Sequence, residues 1–521
     1  MVRMSAYKID METRETNGGE SATAKGVPHD GPSPDDRHPD AVAERFGVDA
    51  ETADRIIAEA LSAGGDYCDL YFGSSQSSQL QLEDGVVSRA GSRMDRGLGV
   101  RVVAAEATGY AFTETLTPEA MRKAARTAAR IARSAPTIPR PRPIPVTPLN
   151  GGIPNRYPVD AEWETVDMGR KVAFLTAVHD RMRTRDPRVI RASLTFADAT
   201  AHVLIATSDG VWAADTRPMV RAAASCTALS DGRRETNGYN LAGRLGGEFL
   251  TDDTAQKLAD TAVDRTVALF SAIRPEPGEM PVVLAPGDAG ILLHEAIGHG
   301  LEADFNRKGT SVFADRLGQR VACDEVSIVD DGTLPHHRGS INIDDEGVTA
   351  ERTVLVENGI LRGYLHDRIS AAHYGVPPTG NGRRQSFRHA PLPRMRNTFM
   401  AAGPHPPEAI ISSVKRGLYA QTFTNGQVTI GAGDFTFYVK WGYLIEDGRL
   451  TQPVKDVNVI GNGPAVLGRI EMVGNDPTLS EGGWTCGKAG QMVPVSQGLP
   501  TVKVGSMTVG GVRSGRGKEE S

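Results

Sequence analysis

The chain has few cysteines, few aromatic residues and no long apolar run, and each shortage excludes something. Four cysteines in 521 residues (Cys68, Cys226, Cys323 and Cys486) lie far apart. That spacing excludes a disulfide-stapled secreted scaffold and suits a reducing cytosol, where a free thiolate survives. No apolar run reaches the roughly 18 residues of a membrane-spanning helix, and the N-terminus lacks the apolar core of a signal peptide. Lys and Arg are scattered without a basic block and the net charge is −6. Neither nucleic acid nor a membrane surface is therefore an expected partner. These absences leave a cytoplasmic globular protein, long enough for about three domains.

What the chain does have is abundant turn punctuation. Residues 1–39 are polar and acidic, with Tyr7 the only aromatic, and read as a disordered tail. Deleting residues 1–36 is expected to leave the melting temperature and the activity unchanged; a clear drop in a thermal melt would refute this. An α/β unit follows over 40–133. Its reading is a helix from Ala41 to Ala63, then strands at 67–72, 79–82, 86–89 (after an Asp84-Gly85 turn) and 97–104, then a helix from Thr117 to about Arg133. Residues 134–158 hold eight prolines, including Pro139-Arg140-Pro141-Arg142-Pro143, and read as an extended linker. A central α/β unit over 159–278 repeats the order helix, strand, Asp-Gly turn, strand, and adds a helix over 251–270. From 279 to 512 the chain is strand- and turn-rich, with an Asn358-Gly359 hairpin and a helix over 406–415, and residues 513–521 form a flexible tail. The expected fold class is α+β: N-terminal α/β layers followed by a β-rich domain that carries one chemically distinctive helix.

That helix begins after the strand-like run Pro281–Ala285 and contains His294-Glu295-Ala296-Ile297-Gly298-His299. Two imidazoles and a carboxylate this close suit a zinc hydrolase, in which the histidines hold the metal and the glutamate takes a proton from water. The common spacing is H-E-x-x-H, one helical turn. Here it is H-E-x-x-x-H, and on an ideal α-helix such a pair points roughly 140° apart. The helix must therefore be overwound, bulged or ended before His299. Gly298 and Gly300 flank that position and tolerate an unusual backbone. A catalytic zinc needs a third protein ligand. From the residues alone it could be Cys486, Glu302, His336, His337, His366, His373 or His389.

Three blocks narrow the reading. The run from His294 to Ser311 (HEAIGHGLEADFNRKGTS), the run from Arg384 to Thr398 (RQSFRHAPLPRMRNT) and the run from Trp484 to Val495 (WTCGKAGQMVPV) resemble, in that order, motifs of the TldD/TldE (PmbA) metallopeptidase family. The similarity covers roughly 40–510. Because the TldE half lacks the H-E-x-x-x-H motif, the resemblance implies a TldD-type subunit. It implies Zn2+ held by His294, His299 and Cys486, and Gly482, Gly483, Gly487 and Gly490 would let the Cys486 backbone approach a metal. It implies Glu295 as the general base and, from the middle block, His389 and Arg388 as candidate oxyanion or substrate contacts. It also implies unfolded or short leader peptides as substrates, and assembly with a TldE/PmbA-like paralogue or as a homodimer. Two other readings remain on the residues: a regulatory binding protein (a gyrase or antitoxin modulator) with a structural metal site, and a small-molecule metalloamidase. A structural site needs no general base, which disfavours the first.

Overall fold

The computed structural model describes residues 38–132, 143–149, 152–429 and 433–510. Most of the N-terminal tail, part of the Pro-rich segment and the C-terminal tail lie outside the described residues.

The first expected helix is two helices, Pro39–Phe46 and Ala50–Leu61. Gly47 ends the first in the left-handed conformation, and the Asp49 side chain caps the second by accepting from the Thr52 N–H. The boundary of the expected tail also moves, because Pro39 already occupies the first turn of a helix. The four short strands expected next are two long ones, Tyr67–Glu83 and Val86–Ala104, joined at Asp84-Gly85. Both turn residues have positive φ, as a two-residue hairpin of this hand requires. The same geometry recurs at Asp231-Gly232, Asn358-Gly359, Asp447-Gly448 and Ala489-Gly490.

The two N-terminal units share one sheet. Its seven strands include Ala107–Thr113, Val86–Ala104, Tyr67–Glu83, Val189–Thr207 and Asp209–Ser230 as neighbours in that order. Ile144–Pro148 and Arg233–Gly243 both pair with Asp209–Ser230. Part of the Pro-rich segment is thus an edge strand, where proline's missing N–H costs least. The helices Pro118–Ala132, Met168–Arg185 and Asp252–Ala268 pack on this sheet. No helix among the described residues is long and apolar enough to cross a membrane.

The C-terminal part holds two larger β systems. Strands Gly278–Leu284, Arg416–Thr429, Asp434–Glu446, Arg449–Asn462 and Val502–Gly510 pair in a ring, which the contact between the last two closes. A second sheet orders Ile360–Leu361, Arg352–Glu357, Ile328–Asp331, Asn397–Met400, Ser496–Leu499 and Thr478–Leu479. The segment from Ile291 to Leu301 packs into the core these systems share: Leu292, Leu293 and Ile297 are buried with Met395, Phe435, Phe437 and Leu499.

Charged side chains, fully buried, join the two halves. Arg101 meets Asp69 at 2.6 Å and Glu346 at 2.6 Å, and Arg384 meets Asp69 at 2.9 Å. Arg217, largely buried, reaches Asp345 at 2.6 Å. Desolvation offsets most of the Coulombic gain in such pairs, but a mispaired arrangement would strand a charge. The network therefore fixes how the β-rich half seats on the N-terminal sheet.

Candidate metal and catalytic site

The backbone resolves the spacing problem with a π turn. An α-helical turn at Ile291–Leu293 passes into a π-helical turn over His294–Gly298, and a 3-10 turn follows over His299–Leu301. The His299 N–H donates to the His294 carbonyl, five residues back. The wider turn returns both imidazoles to one face, with ring centroids 4.9 Å apart. Such bulges cluster at functional sites. The glycines contribute differently from expectation. Gly298 has ordinary helical angles, φ −55° and ψ −55°. Its role is clearance: a Cβ there would collide with Met395 Sδ, and one on Gly300 would meet the Phe313 ring.

Cys486 arrives on a short hairpin, Thr485–Lys488 paired with Gln491–Pro494. The turn needs Gly490 at φ 74°. Alternation along the strand puts Cys486 and Lys488 on the buried face and Gly487 outside. Cys486 Sγ lies 3.4 Å from His299 Nε2. One donor atom each from His294, His299 and Cys486 falls within 4.8 Å of the others, and all three residues are buried. Burial alone would raise the Cys486 thiol, but the imidazoles of His294 and His299 outweigh it and hold the thiol well below its ordinary pKa. Burial likewise disfavours the His299 cation, yet Glu302 and the Cys486 sulfur lift that imidazole well above its usual value.

Glu302 supports His299. Its Oε2 sits 2.9 Å from His299 Nδ1, which leaves Nε2 turned toward Cys486. Lys488 Nζ reaches Glu302 at 3.0 Å, and Arg394 Nε lies 3.8 Å away. Burial would raise the Glu302 carboxyl, but Lys488, His299 and Arg394 together hold it at about 2. Arg394 also donates to the Cys486 carbonyl at 2.6 Å. A carboxylate on the far nitrogen of an imidazole fixes its tautomer and ring plane.

None of the other histidines weighed as third donors falls in this donor cluster among the described residues. His336 Nδ1 is 3.1 Å from the Arg244 carbonyl oxygen, and His373 pairs with Glu106 at 2.7 Å. His366 stacks among Tyr364 and Tyr374, and burial pushes it down to about 4. Burial and the neighbouring His336 lower the pKa of His337.

His294, Glu295, His299 and Cys486 line one cleft of ≈ 550 Å³. Residues of the barrel strands, among them Thr429, Asp434, Thr436 and Ile460, form a further wall, and Trp484, Thr485 and Gln497 also line it. Glu295 is half-buried and has no hydrogen-bond or ion-pair partner among the described residues. Arg388 and His389 do not line this cleft. Arg388 is clamped by Asp95 and Glu114, at 2.7 Å each, across to the N-terminal sheet. His389 Nδ1 sits 3.1 Å from Ser386 Oγ. Sequence reasoning missed Lys488 and Arg394 and had Glu302 only as a rival ligand. The i, i+2 pairing of Cys486 with Lys488 on a strand and the i, i+3 pairing of His299 with Glu302 were the available signals.

Comparison with known proteins identifies the family. Family models match residues 68–132 (PmbA/TldA metallopeptidase domain 1), 161–270 (central domain) and 277–511 (C-terminal domain). The metalloprotease TldD homolog of Haemophilus influenzae is 41% identical over 452 residues, covering 86% of this chain and 93% of the relative. A zinc metalloprotease TldD homolog of Saccharolobus solfataricus is 37% identical over 272 residues, covering 52% of this chain and 60% of the relative. The crystal structure of TldE from Thermococcus kodakarensis shares the fold at TM-score 0.69 and 18% identity, covering 88% of this chain and 100% of that one. Three family models in order along the chain, and a relative 41% identical over 86% of it, show that the chain belongs to the TldD family of PmbA/TldD metallopeptidases.

Proposed function

We propose that the chain is a cytoplasmic zinc peptidase, with His294, His299 and Cys486 as the metal ligands and Glu295 as general base. The carrying observation is the convergence of three buried donors, one from each residue, within 4.8 Å on the cleft that Glu295 also lines. The donor set fits zinc. A thiolate and two imidazoles are its preferred ligand types, three leave an open position, and the His294 Nδ1 is buried without a protein partner. When bound, zinc would supply Lewis-acid polarisation of a carbonyl and acidification of water. The chain's own residues do the rest. Glu302 holds His299 in one tautomer. Glu295, unpaired and half-buried, accepts a proton from water in the cleft and delivers it to the departing amine. The test is metal analysis of the purified protein beside hydrolysis of an unfolded polypeptide, before and after chelation.

Glu302→Gln is expected to weaken zinc binding by ~10–100-fold, the usual cost of losing an outer-shell carboxylate. Competition with a chromogenic chelator measures it, and unchanged affinity would remove Glu302 from this role.

We further propose that the active form is a dimer, with a TldE-like paralogue or a second copy, acting on unfolded or short peptides. Support comes from the family and from a site assembled between segments nearly 200 residues apart, set inside the β-rich half. Light scattering should give the dimer mass, and a substrate should be cut when unfolded and spared when folded. Equal cutting of both forms, or full activity in an isolated monomer, would contradict this.

A further inference from the structure

We infer that Gln497 is a catalytic residue that engages the main-chain amide of the substrate and donates to the oxyanion that forms from it. The inference rests on the peptidase reading above and supplies the donor that reading lacks. Gln497 is fully buried, and it lines the cleft that holds His294, Glu295, His299 and Cys486. Both its Nε2 and its Oε1 are buried without a hydrogen-bond partner. A buried amide left unpaired is costly, and folded proteins rarely keep one without reason.

The backbone cannot shift to relieve this. The strand Ser496–Leu499 lies parallel to Asn397–Met400, with Thr398 opposite Gln497, and antiparallel to Thr478–Leu479 on its other side. The Gln497 carbonyl already accepts from the Ser480 N–H at 2.8 Å. Only the side-chain amide is unspent. Its terminal torsion is soft, so the group can turn toward the cleft at little cost.

The other side-chain donors on this wall are spent or solvated: Trp484 Nε1 donates to Ser480 Oγ at 2.9 Å, and Thr485, which accepts from Arg338 at 3.3 Å, is exposed. The hydroxyls of Thr429 and Thr436 are on exposed positions of the barrel wall. In an extended substrate the residue whose carbonyl is attacked presents its N–H and C=O on one edge, and a glutamine amide matches them with one acceptor and one donor. As the carbonyl becomes tetrahedral, its oxygen gains charge, and the Nε2 hydrogen bond strengthens.

The test separates catalysis from structural support by pairing kinetics with stability. In Gln497→Met, a near-isosteric apolar replacement, kcat for an unfolded peptide should fall by ~100-fold or more, the loss typical of one oxyanion donor. KM should rise by a smaller factor than kcat falls, because the bond to the ground-state substrate is weaker than the bond to the oxyanion, and zinc content should stay at the wild-type level. The melting temperature should be unchanged or higher, because the variant removes an unpaired buried polar group. Gln497→Glu, which replaces the donor with an acceptor, should lose at least as much kcat. A Gln497→Met protein with kcat within about threefold of wild type overturns the inference. So does one that loses zinc and melts lower, which would make the amide a structural support. If the wild-type protein itself hydrolyses nothing while loaded with zinc, the peptidase reading fails first and the inference falls with it.

Discussion

Glu295→Gln should keep its zinc and lose at least ~100-fold in kcat/KM, the low end of what a positioned general base contributes. The substitution keeps the shape of the side chain and removes only the ability to take a proton. It should leave the metal donors alone, because Glu295 is not among the three clustered donors. It should also leave the fold alone, because the Glu295 side chain is half-buried and makes no hydrogen bond or ion pair among the described residues. Loss of activity with full metal and an unchanged melting temperature is the expected outcome. It would also decide against the regulatory reading, since a structural metal site has no use for this carboxylate. Near-normal hydrolysis by the variant would take Glu295 out of the mechanism.

The parts of this site that could be read from the chain are the local ones. His294, Glu295 and His299 are visible because their chemistry is packed into six residues. The spacing also announced that the helix could not be regular, but a bulge, a tightened turn and a break all satisfy the same letters. Only the bond from the His299 N–H to the His294 carbonyl distinguishes them. Gly298 and Gly300 look like backbone licences in the sequence and prove to be contact surfaces, because Met395 and Phe313 come from elsewhere in the chain. Arg388 and His389 lie away from the cleft, and Arg388 instead ties the block to the N-terminal sheet: an unusual block of residues can mark an interface as readily as a cleft. The strands were misjudged where they leave the core. Ala90–Arg96 is polar because that part of the hairpin faces solvent, so the alternation that signals a strand is missing although the pairing continues. The order of the units was legible, but not that the first two share a sheet. Nothing local in Tyr67–Glu83 says that its second neighbour is Val189–Thr207.

Cys486→Ser should lose zinc. Two buried imidazoles would remain, together with a hydroxyl that stays protonated where the thiol had been held well below its ordinary pKa by His294 and His299. Zinc affinity should fall by more than the ~10–100-fold that follows loss of an outer-shell partner, and activity should fall with it. Dialysis against a weak chelator followed by metal analysis reads the first effect directly. Cobalt substitution gives a second readout, independent of turnover, because a sulfur-to-cobalt charge-transfer band in the near ultraviolet should be present in the parent and absent in the variant. The rival third ligand makes a different forecast. If Glu302 were the ligand, Cys486→Ser would keep its metal, and Glu302→Gln would strip it. The geometry is against that outcome. Glu302 is held by Lys488 and Arg394 and spends Oε2 on His299 Nδ1, so reaching a metal would mean giving up the bond that aims the imidazole. Full zinc retention in Cys486→Ser would therefore contradict more than one ligand. It would require the His299 ring to turn over and the Lys488 hairpin to release its partner.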